Sequence, residues 1–501
     1  MALALGAAVA MTIEPLLAQA NRGERGGINP ANVALFCARF PARDRFPASP
    51  TEMPAASAGL AGVVSSILAA LGCRPSATTD PPASTRSSDV GDAMIAVGDA
   101  IAPGDAVAVH TVAGIGPVGD IALSQDGRYA YVAASRVDRA GGTEKWTVKV
   151  VDTEVNAVIK TIEDLADVVP TSLALSPDSS RLYVADRNAA TIRVVDISHG
   201  SPTRNRVVDV LQLDGSSPVG YGTPAAITLS PNGSRLYALM NNSGANPAVL
   251  ILDPDTRVLV GTVAGGDSIA MFSAGERIYV CADDRLGNPN VTAGVVILDA
   301  DTGQELDSFG FNDAPAFIRQ PILAGDSGQL YLDIDDLDGR LEVVDTSTLK
   351  VVARIKIDAS ADRGLRSIPT AAVLSPEGRY LYVANQGVRL SSDEATEVGW
   401  VSVVDTQLNE VTHDIALPRA GVDECQGANP QFIAISPAGD RLVVVNEYGT
   451  ASIVDTASKS VLGTATFGQP TDQPRVVMVN PARNAVYVGT TADAGLTVIS
   501  L

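Results

Sequence analysis

The chain contains few residues of the types that enzymes use most often for acid–base or nucleophilic chemistry. Its three histidines are His110, His199 and His413. The alternation of apolar and polar residues places His110 and His413 in predicted outer strands, and His199 falls in a predicted short turn. A histidine-based triad or a histidine-ligated haem site needs an imidazole in a cleft. We therefore predict none of these sites and favour a protein without enzymatic activity.

Carboxylates are the remaining candidates for chemistry, and several of them follow predicted strands. Those that we place on one loop-bearing face are Asp186, Asp283, Asp333, Asp423 and Glu424. They could serve as general bases or as ligands of a divalent cation. A run of aspartates between residues 333 and 338 could hold calcium, but its spacing is not that of an EF-hand loop. We interpret the run as a solvated acidic loop and expect no cofactor, with calcium as the alternative.

Two glycine-containing motifs suggest chemistry that their context does not support. Residues 114–119 spell GxGxxG, but a strand follows where a dinucleotide site needs a helix. Residues 325–328 (GDSG) look like the nucleophile segment of a chymotrypsin-like serine protease. They occupy a turn of the repeat described below, so we interpret both motifs as loops.

The four cysteines do not form a metal-binding pattern. Cys37, Cys73, Cys281 and Cys425 include no CxxC pair and no Cys/His cluster, so no zinc site is predicted. Cys37 and Cys73 flank a helix-like segment and could form a disulfide if the protein is exported. Cys281 ends a predicted strand and is expected to be buried.

The elements that position these residues are copies of one repeat, which is clearest at residues 170–197. Three short alternating apolar runs are separated there by turns rich in Pro, Asp, Asn and Ser, and a fourth run follows at 206–213. This pattern is typical of half-buried strands joined by hairpins. One unit is therefore a four-stranded antiparallel meander.

The unit recurs along the chain at intervals of 44–60 residues. Its third strand ends in an aspartate at positions Asp152, Asp196, Asp253, Asp299, Asp345, Asp405 and Asp455. A four-stranded repeat of this length is a propeller blade. We predict an all-β protein with a single β-propeller of eight blades over residues 106–501. Residues 106–113 are expected to supply the missing last strand and close the ring. Seven blades is the alternative, because the fifth copy is degenerate.

The segments RLYVAD (181–186) and RYLYVAN (379–385), with the Val-Val-Asp-Thr strands at Asp152, Asp345 and Asp405, resemble the YVTN-type propeller repeat of the YncE-like family. The resemblance covers about four-fifths of the chain and implies the propeller fold. It says little about function, because propellers host unrelated activities. The family also resembles lactonase-type propellers, which implies a hydrolase as one alternative.

The loops of the repeat are unequal on the two faces of the predicted propeller. Long insertions occur between strands two and three at 135–145, 283–292 and 386–399, and between blades at 214–223, 358–368 and 418–429. In an antiparallel meander these two classes of loop emerge on the same face, where binding is usual. Trp146 and Trp400 follow the two longest insertions within blades and could anchor a partner or ligand. The alternative is that they pack at the base of the loops.

We interpret the protein as a binding scaffold that engages a protein or cell-envelope component through this face. The alternative is a lactonase-like hydrolase that acts at the channel mouth with carboxylates and a divalent cation. Both hypotheses use the same face, and the sequence does not name the ligand.

The N-terminal region does not belong to the repeat. Residues 1–20 resemble a signal peptide with a small-x-small cleavage site, although no basic residue precedes the apolar run and Glu14 interrupts it. Residues 21–105 are rich in Pro, Ala, Ser and Thr, with one predicted helix at 58–72. We expect a secreted or envelope protein, or a cytoplasmic one if the segment is not a signal. The helix is too short to cross a membrane.

The composition excludes some classes of partner. The net charge of −21 argues against a nucleic-acid backbone and against anionic lipid as ligands, because both require a basic surface. We attribute the charge to solubility and expect a monomer.

Overall fold

The computed structural model describes residues 108–136, 145–213, 222–241, 248–264, 268–274, 276–283, 293–311, 317–324, 328–335, 339–357, 365–389, 398–418, 428–469, 472–491 and 495–501. The signal-like segment, the extension with its predicted helix, Cys37, Cys73 and Cys425 lie outside these residues. In the described ranges, no helix is long and apolar enough to span a bilayer.

Thirty-two strands form eight antiparallel sheets of four strands each. Blade one contains β2 (Val118–Leu123), β3 (Tyr129–Arg136), β4 (Lys145–Asp152) and β5 (Ala157–Ile162). Blade two contains β6 (Pro170–Leu175), β7 (Arg181–Asp186), β8 (Thr191–Asp196) and β9 (Arg206–Gln212). Blade three contains β10 (Thr223–Leu229), β11 (Leu236–Asn241), β12 (Ala248–Asp253) and β13 (Val258–Ala264). Blade four contains β14 (Ser268–Ala274), β15 (Arg277–Asp283), β16 (Ala293–Asp299) and β17 (Glu305–Phe311).

The second half of the ring repeats this order. Blade five contains β18 (Phe317–Ala324), β19 (Gln329–Asp335), β20 (Arg340–Asp345) and β21 (Lys350–Lys356). Blade six contains β22 (Leu365–Leu374), β23 (Tyr380–Arg389), β24 (Val398–Asp405) and β25 (Glu410–Ala416). Blade seven contains β26 (Pro430–Ile435), β27 (Arg441–Asn446), β28 (Thr450–Asp455) and β29 (Ser460–Thr466). A 3₁₀ turn, Glu163–Leu165, follows blade one.

Blade eight is built from both ends of the propeller sequence. Strands β30 (Pro474–Asn480), β31 (Ala485–Thr490) and β32 (Leu496–Ser500) are completed by β1 (Val109–Val112), which pairs antiparallel with β32. The first strand of blade one also packs against the first strand of blade eight. These contacts close the ring, so the prediction of eight blades and of an N-terminal closing strand is confirmed, and the seven-blade alternative is wrong.

The core lies between the blades because alternating strands bury one set of side chains against each neighbouring sheet. One apolar cluster joins blades one and two through residues that include Tyr131, Val150, Leu182 and Val195. Another joins blade eight to blade one through Val112, Val132, Tyr487 and Val498. Cys281 is buried in such a cluster, as predicted.

The aspartate that ends the third strand in seven of the eight blades caps the turn that follows. The Asp253 carboxylate accepts the N–H groups of Asp255 and Thr256 at 3.1 and 2.9 Å. The Asp405 carboxylate accepts those of Gln407 and Leu408 at 2.9 and 3.1 Å. These backbone bonds hold the pKa of Asp253 below its usual range. The pKa of Asp405 is lowered, against the effect of burial, first by the hydrogen bond from the Arg379 guanidinium and then by the backbone bonds. The repeated aspartates therefore stabilise turns, and this explains why they recur.

The ends of two predicted insertions are strands. In blade six, Gln386 of β23 pairs with Gly399 of β24. Strands β22 and β23 also stay paired beyond this point, as far as Leu365 and Arg389. In blade one, Ser135 pairs with Trp146. The sequence analysis assigned the ends of these hairpins to long insertions. Backbone pairing to an existing sheet extends the strands into them.

Candidate binding face

The face from which the loops between strands two and three emerge, together with the connections between blades, is called here the elaborated face. It is formed by the starts of the first strands and the ends of the second strands. A backbone bond joins these two points in four blades. The N–H groups of Ser135, Arg187, Glu447 and Thr491 donate to the carbonyls of Pro117, Val169, Asn429 and Gln473. The base of the face is therefore rigid where these bonds occur.

A β-bulge lies near the start of the first strand in seven of the eight blades. The residues that it displaces, in the six blades where it displaces only one, are Gly119, Thr171, Ala225, Thr370, Gln431 and Arg475. First strands are the innermost strands of the ring, so the bulges re-aim side chains at the channel mouth. The sequence analysis missed this feature. Its signal was a proline that recurs at the strand start, as in Pro170, Pro224, Pro369, Pro430 and Pro474.

Trp146 is half-buried and lies against the bulge of blade one. A Cβ atom on Gly119 would come within 2.9 Å of Cζ3 in the Trp146 ring, and within 3.6 Å of the Pro170 carbonyl oxygen in blade two. The absence of a side chain at residue 119 thus makes room for the indole. The ring lies at the seam between blades one and two, with part of its surface open to solvent.

Trp400 has a different environment. It is 4% exposed, and its indole N–H donates to the Ser402 hydroxyl at 3.1 Å. That hydroxyl in turn donates to the Asp414 carboxylate at 2.6 Å. Trp400 therefore packs at the base of its loop, which is the alternative that the sequence left open, and it presents no surface to a ligand.

Asp186 is buried at the end of β7. Its Oδ1 atom accepts the N–H groups of Val169 and Asn188 at 3.3 and 3.0 Å, and its Oδ2 atom lies 3.8 Å from the Arg193 guanidinium. Both oxygens are thus occupied by groups of the same blade and of the connection before it. This arrangement orders the start of β6 and the end of β7.

The other predicted carboxylates are not brought together by the described residues. Asp283 ends β15 and Asp333 lies within β19, in neighbouring blades, and their side chains are outside the described part of the molecule. Asp423 and Glu424 lie outside the described residues altogether. In the ranges that the structure describes, no group of three or more His, Cys, Asp or Glu side chains is placed to hold a metal ion.

Asp120 is a carboxylate of the channel wall that the sequence analysis did not single out. Its Oδ2 atom accepts the Leu173 N–H of blade two at 2.7 Å, and its Oδ1 atom accepts the Ile121 N–H at 2.8 Å. Burial raises its pKa to about 6, against the lowering effect of these hydrogen bonds. In blade two the equivalent residue, Ser172, accepts the Ile227 N–H of blade three at 3.3 Å. The sequence did contain a signal for Asp120, because the other copies of the repeat have a small or apolar residue at this position.

Glu447 is the second carboxylate that the sequence analysis missed. It follows β27 and is half-buried, and burial raises its pKa. One carboxylate oxygen accepts the Gln473 amide at 3.3 Å, and the other accepts the Asn429 amide, whose own oxygen accepts the Gln431 amide at 3.2 Å. A carboxylate surrounded by amides therefore bridges blades seven and eight at the elaborated face.

The chain is similar in sequence to one curated propeller protein. It is 27% identical over 391 residues to the seven-bladed beta-propeller protein Rv1057 of Mycobacterium tuberculosis, across 77% of this chain and 82% of that protein. The present chain has eight sheets where that name states seven blades. No protein-family model matches the chain, so its membership of the YVTN-type family stays a prediction.

Three solved structures show weak structural similarity to this chain. Hydrazine synthase of Kuenenia stuttgartiensis is 15% identical, with a TM-score of 0.44, over 78% of this chain and 97% of that one. BamB from Moraxella catarrhalis is 14% identical, with a TM-score of 0.47, over 76% and 96%. The Dos1 propeller is 17% identical, with a TM-score of 0.47, over 64% and 78%. Similarity at this level carries no information about function.

Proposed function

We propose that the protein is a non-enzymatic scaffold that binds a protein or cell-envelope component through its elaborated face. The observation that carries this proposal is the position of Trp146. Trp146 is partly exposed at the seam between blades one and two, beside the bulge of β2, and blade one is the only described blade in which a single displaced bulge residue is glycine. A large, rigid aromatic side chain on a fixed strand is the usual anchor of a binding surface.

Most of the other polar residues that recur in the repeat, or that were candidates for chemistry, have structural roles. The aspartates at the ends of third strands cap turns, and Asp186 orders the strands around it. The described histidines lie in β1, in a turn and in β25, as predicted, and none lies among the channel-mouth residues described above. These features favour binding over acid–base chemistry. Export to the envelope is part of the proposal and follows from the signal-like segment.

The test is affinity capture from envelope and culture-fluid extracts with four versions of the full chain as bait. These are the natural chain, W146A, a graft that replaces 390–397 and 419–427 by short turns, and D255A. Asp255 is exposed on the opposite face and serves as the matched control. We expect one partner to bind the natural chain and D255A, and to be lost with W146A or with the graft. Equal binding to all four baits would contradict the proposal.

A lactonase-like hydrolase is the second candidate, and Asp120 is the observation that favours it. A carboxyl group with a pKa near 6 in the channel wall can exchange a proton at neutral pH. A lactone panel with and without calcium, on the natural chain and on D120N, tests this function. Hydrolysis that D120N abolishes would support it, and inertness toward the whole panel would exclude it.

A further inference from the structure

The outermost strand of each blade forms the rim of the ring. In each sheet this fourth strand is hydrogen-bonded on one side only, to the third strand. The other side therefore presents backbone N–H and C=O groups that no described strand of this chain pairs. Such an edge can pair with another chain, and natural proteins usually prevent this with a charged side chain on the edge.

One position on the rim strands carries a charged side chain in three blades and a histidine in two others. It lies opposite the centre of the third strand. In blades one, two, four, six and eight it is occupied by Lys160, Asp209, Asp307, His413 and His110. In blade five it is Ala353, which is followed by the exposed Arg354. In blades three and seven it is glycine: Gly261 and Gly463.

Strands β13 and β29 also lack Asp, Glu, Lys and Arg along their whole length, as VLVGTVA and SVLGTAT show. The four-residue strand β1 lacks them too, but it has His110 where β13 and β29 have glycine. In β13 the three consecutive residues Val258, Leu259 and Val260 are 55%, 38% and 47% exposed. The position of Val258 is a charged, polar or small residue in blades one, two and four to seven: Ala157, Arg206, Gln304, Lys350, Glu410 and Ser460. A bulge at Val260 and at Leu462 leaves residues 261–264 and 463–466 as the regular, uncharged part of each edge.

The blade itself does not require glycine at residue 261. A Cβ atom built there would meet its nearest neighbour, Cδ1 of Ile251, at 3.5 Å, which is an ordinary van der Waals contact. The backbone of Gly261 also does not adopt the left-handed conformation that favours glycine. Glycine within a strand can instead mark a place where another backbone approaches closely.

The two uncharged edges lie on opposite sides of the ring. The blades follow one another around the channel in chain order, and blades three and seven are four steps apart in a closed ring of eight. The two edges are also alike in sequence, with Gly-Thr after the bulge in both. Two matched edges at opposite ends are what a head-to-tail assembly of identical molecules needs.

We propose that copies of this chain associate head-to-tail, with β13 of one copy paired antiparallel to β29 of the next. The matching sequences of the two edges and their opposite positions on the ring support a second copy as the occupant. The molecule carries a net charge of −21, but neither strand has a carboxylate, and a basic residue precedes each of them, Arg257 and Lys459. Antiparallel pairing places these two basic residues at opposite ends of the new ladder. This assembly differs from the monomer that we expected from the sequence.

The experiment is sedimentation velocity of the full chain from about 1 to 100 µM in 150 and 500 mM salt. The variants are G261K and G463K, and the matched control is A353K, which adds a charge at the same position of blade five. We expect the natural chain and A353K to form dimers and longer species. Association should increase in high salt, which screens the repulsion between acidic molecules. Each glycine variant alone should self-associate at least about tenfold more weakly.

An equimolar mixture of G261K and G463K tests whether the blade-three edge of one copy pairs with the blade-seven edge of another. The G261K variant keeps the blade-seven edge and G463K keeps the blade-three edge, so their mixture should form a one-to-one dimer that stops there. A natural chain that stays monomeric over the whole range in high salt would overturn the proposal. So would G463K that dimerises by itself, since this would mean that two blade-three edges pair. Melting curves that match the natural chain show that the variants are folded.

Discussion

The phenolic oxygen of Tyr487 in blade eight lies 3.1 Å from Oδ1 of Asn156 in blade one. The hydroxyl donates across the seam at which the ring closes. The Tyr237 hydroxyl makes the same kind of bond to the Ala300 carbonyl of blade four at 2.8 Å, and the Tyr331 hydroxyl to Asn409 of blade six at 3.0 Å. A tyrosine of one second strand thus ties its blade to a turn of the next. This explains why tyrosine recurs in the repeat.

Removing the Tyr487 hydroxyl should weaken the closing seam. We expect Y487F to lower the free energy of unfolding by about 0.5–1.5 kcal/mol, because a partly buried hydrogen bond is lost and Asn156 loses its donor. The control is Y279F in blade four, since the buried Tyr279 hydroxyl has no hydrogen-bond partner among the described residues. That variant should be neutral or slightly stabilising. Urea unfolding measures both, and equal effects would contradict the role of the bond.

The stability of the closed ring should depend on the side chains of β1 that face the core. Val112 is fully buried against Leu496 and Val498, whereas Val109 on the same strand is 38% exposed. We expect V112D to cost about 3–5 kcal/mol, because it buries an unpaired charge, and V109D to cost less than about 0.5 kcal/mol. Chemical denaturation compares the two. A small effect of V112D would mean that the ring does not depend on this strand.

The contact between Gly119 and Trp146 should be visible in fluorescence. Alanine at residue 119 would force the indole to move, because its Cβ would lie 2.9 Å from the ring. We expect G119A to cost about 1–3 kcal/mol and to shift the Trp146 emission to the red. The emission spectrum of Trp146 is obtained by subtracting the spectrum of W146F from that of the natural chain. The control A225S changes the same bulge position in blade three, and a comparable shift there would refute the contact.

Asp120 should make stability depend on pH between about 4 and 6. Its pKa in the folded protein is raised to about 6, so the folded state binds the proton more tightly than the unfolded state in this range. Stability therefore falls as the pH rises from 4 to 6, by about 1–2 kcal/mol for this partly exposed group. Below pH 4 the turn-capping aspartates, whose pKa values are lowered, act in the opposite direction.

The variant D120N isolates this contribution. Its side-chain oxygen can still accept the Leu173 N–H, but it does not titrate. We expect melting temperatures of D120N to change less between pH 4.5 and 7 than those of the natural chain. An unchanged profile would mean that Asp120 keeps an ordinary pKa.

The sequence determined the architecture because the signals of a propeller are local and repeated. Alternation with a period of two fixes the strands, and Asp or Ser-Pro turns fix the hairpins. The eighth copy, which lacks a fourth strand, and the apolar run before the first copy were enough to predict the ring closure that β1 and β32 make. Repetition makes each such inference stronger, since one pattern is read eight times.

Tertiary structure alone decided which polar residues meet. Trp146 and Trp400 have the same context in sequence, yet one lies at a seam between blades and the other is buried in a polar network. Glu447 lies beside Gln473 because neighbouring blades pack, not because of any local pattern. The bulges that re-aim the channel-mouth residues depend on pairing with the second strand. These are contacts between segments far apart in the chain, and periodicity in a sequence carries no information about them.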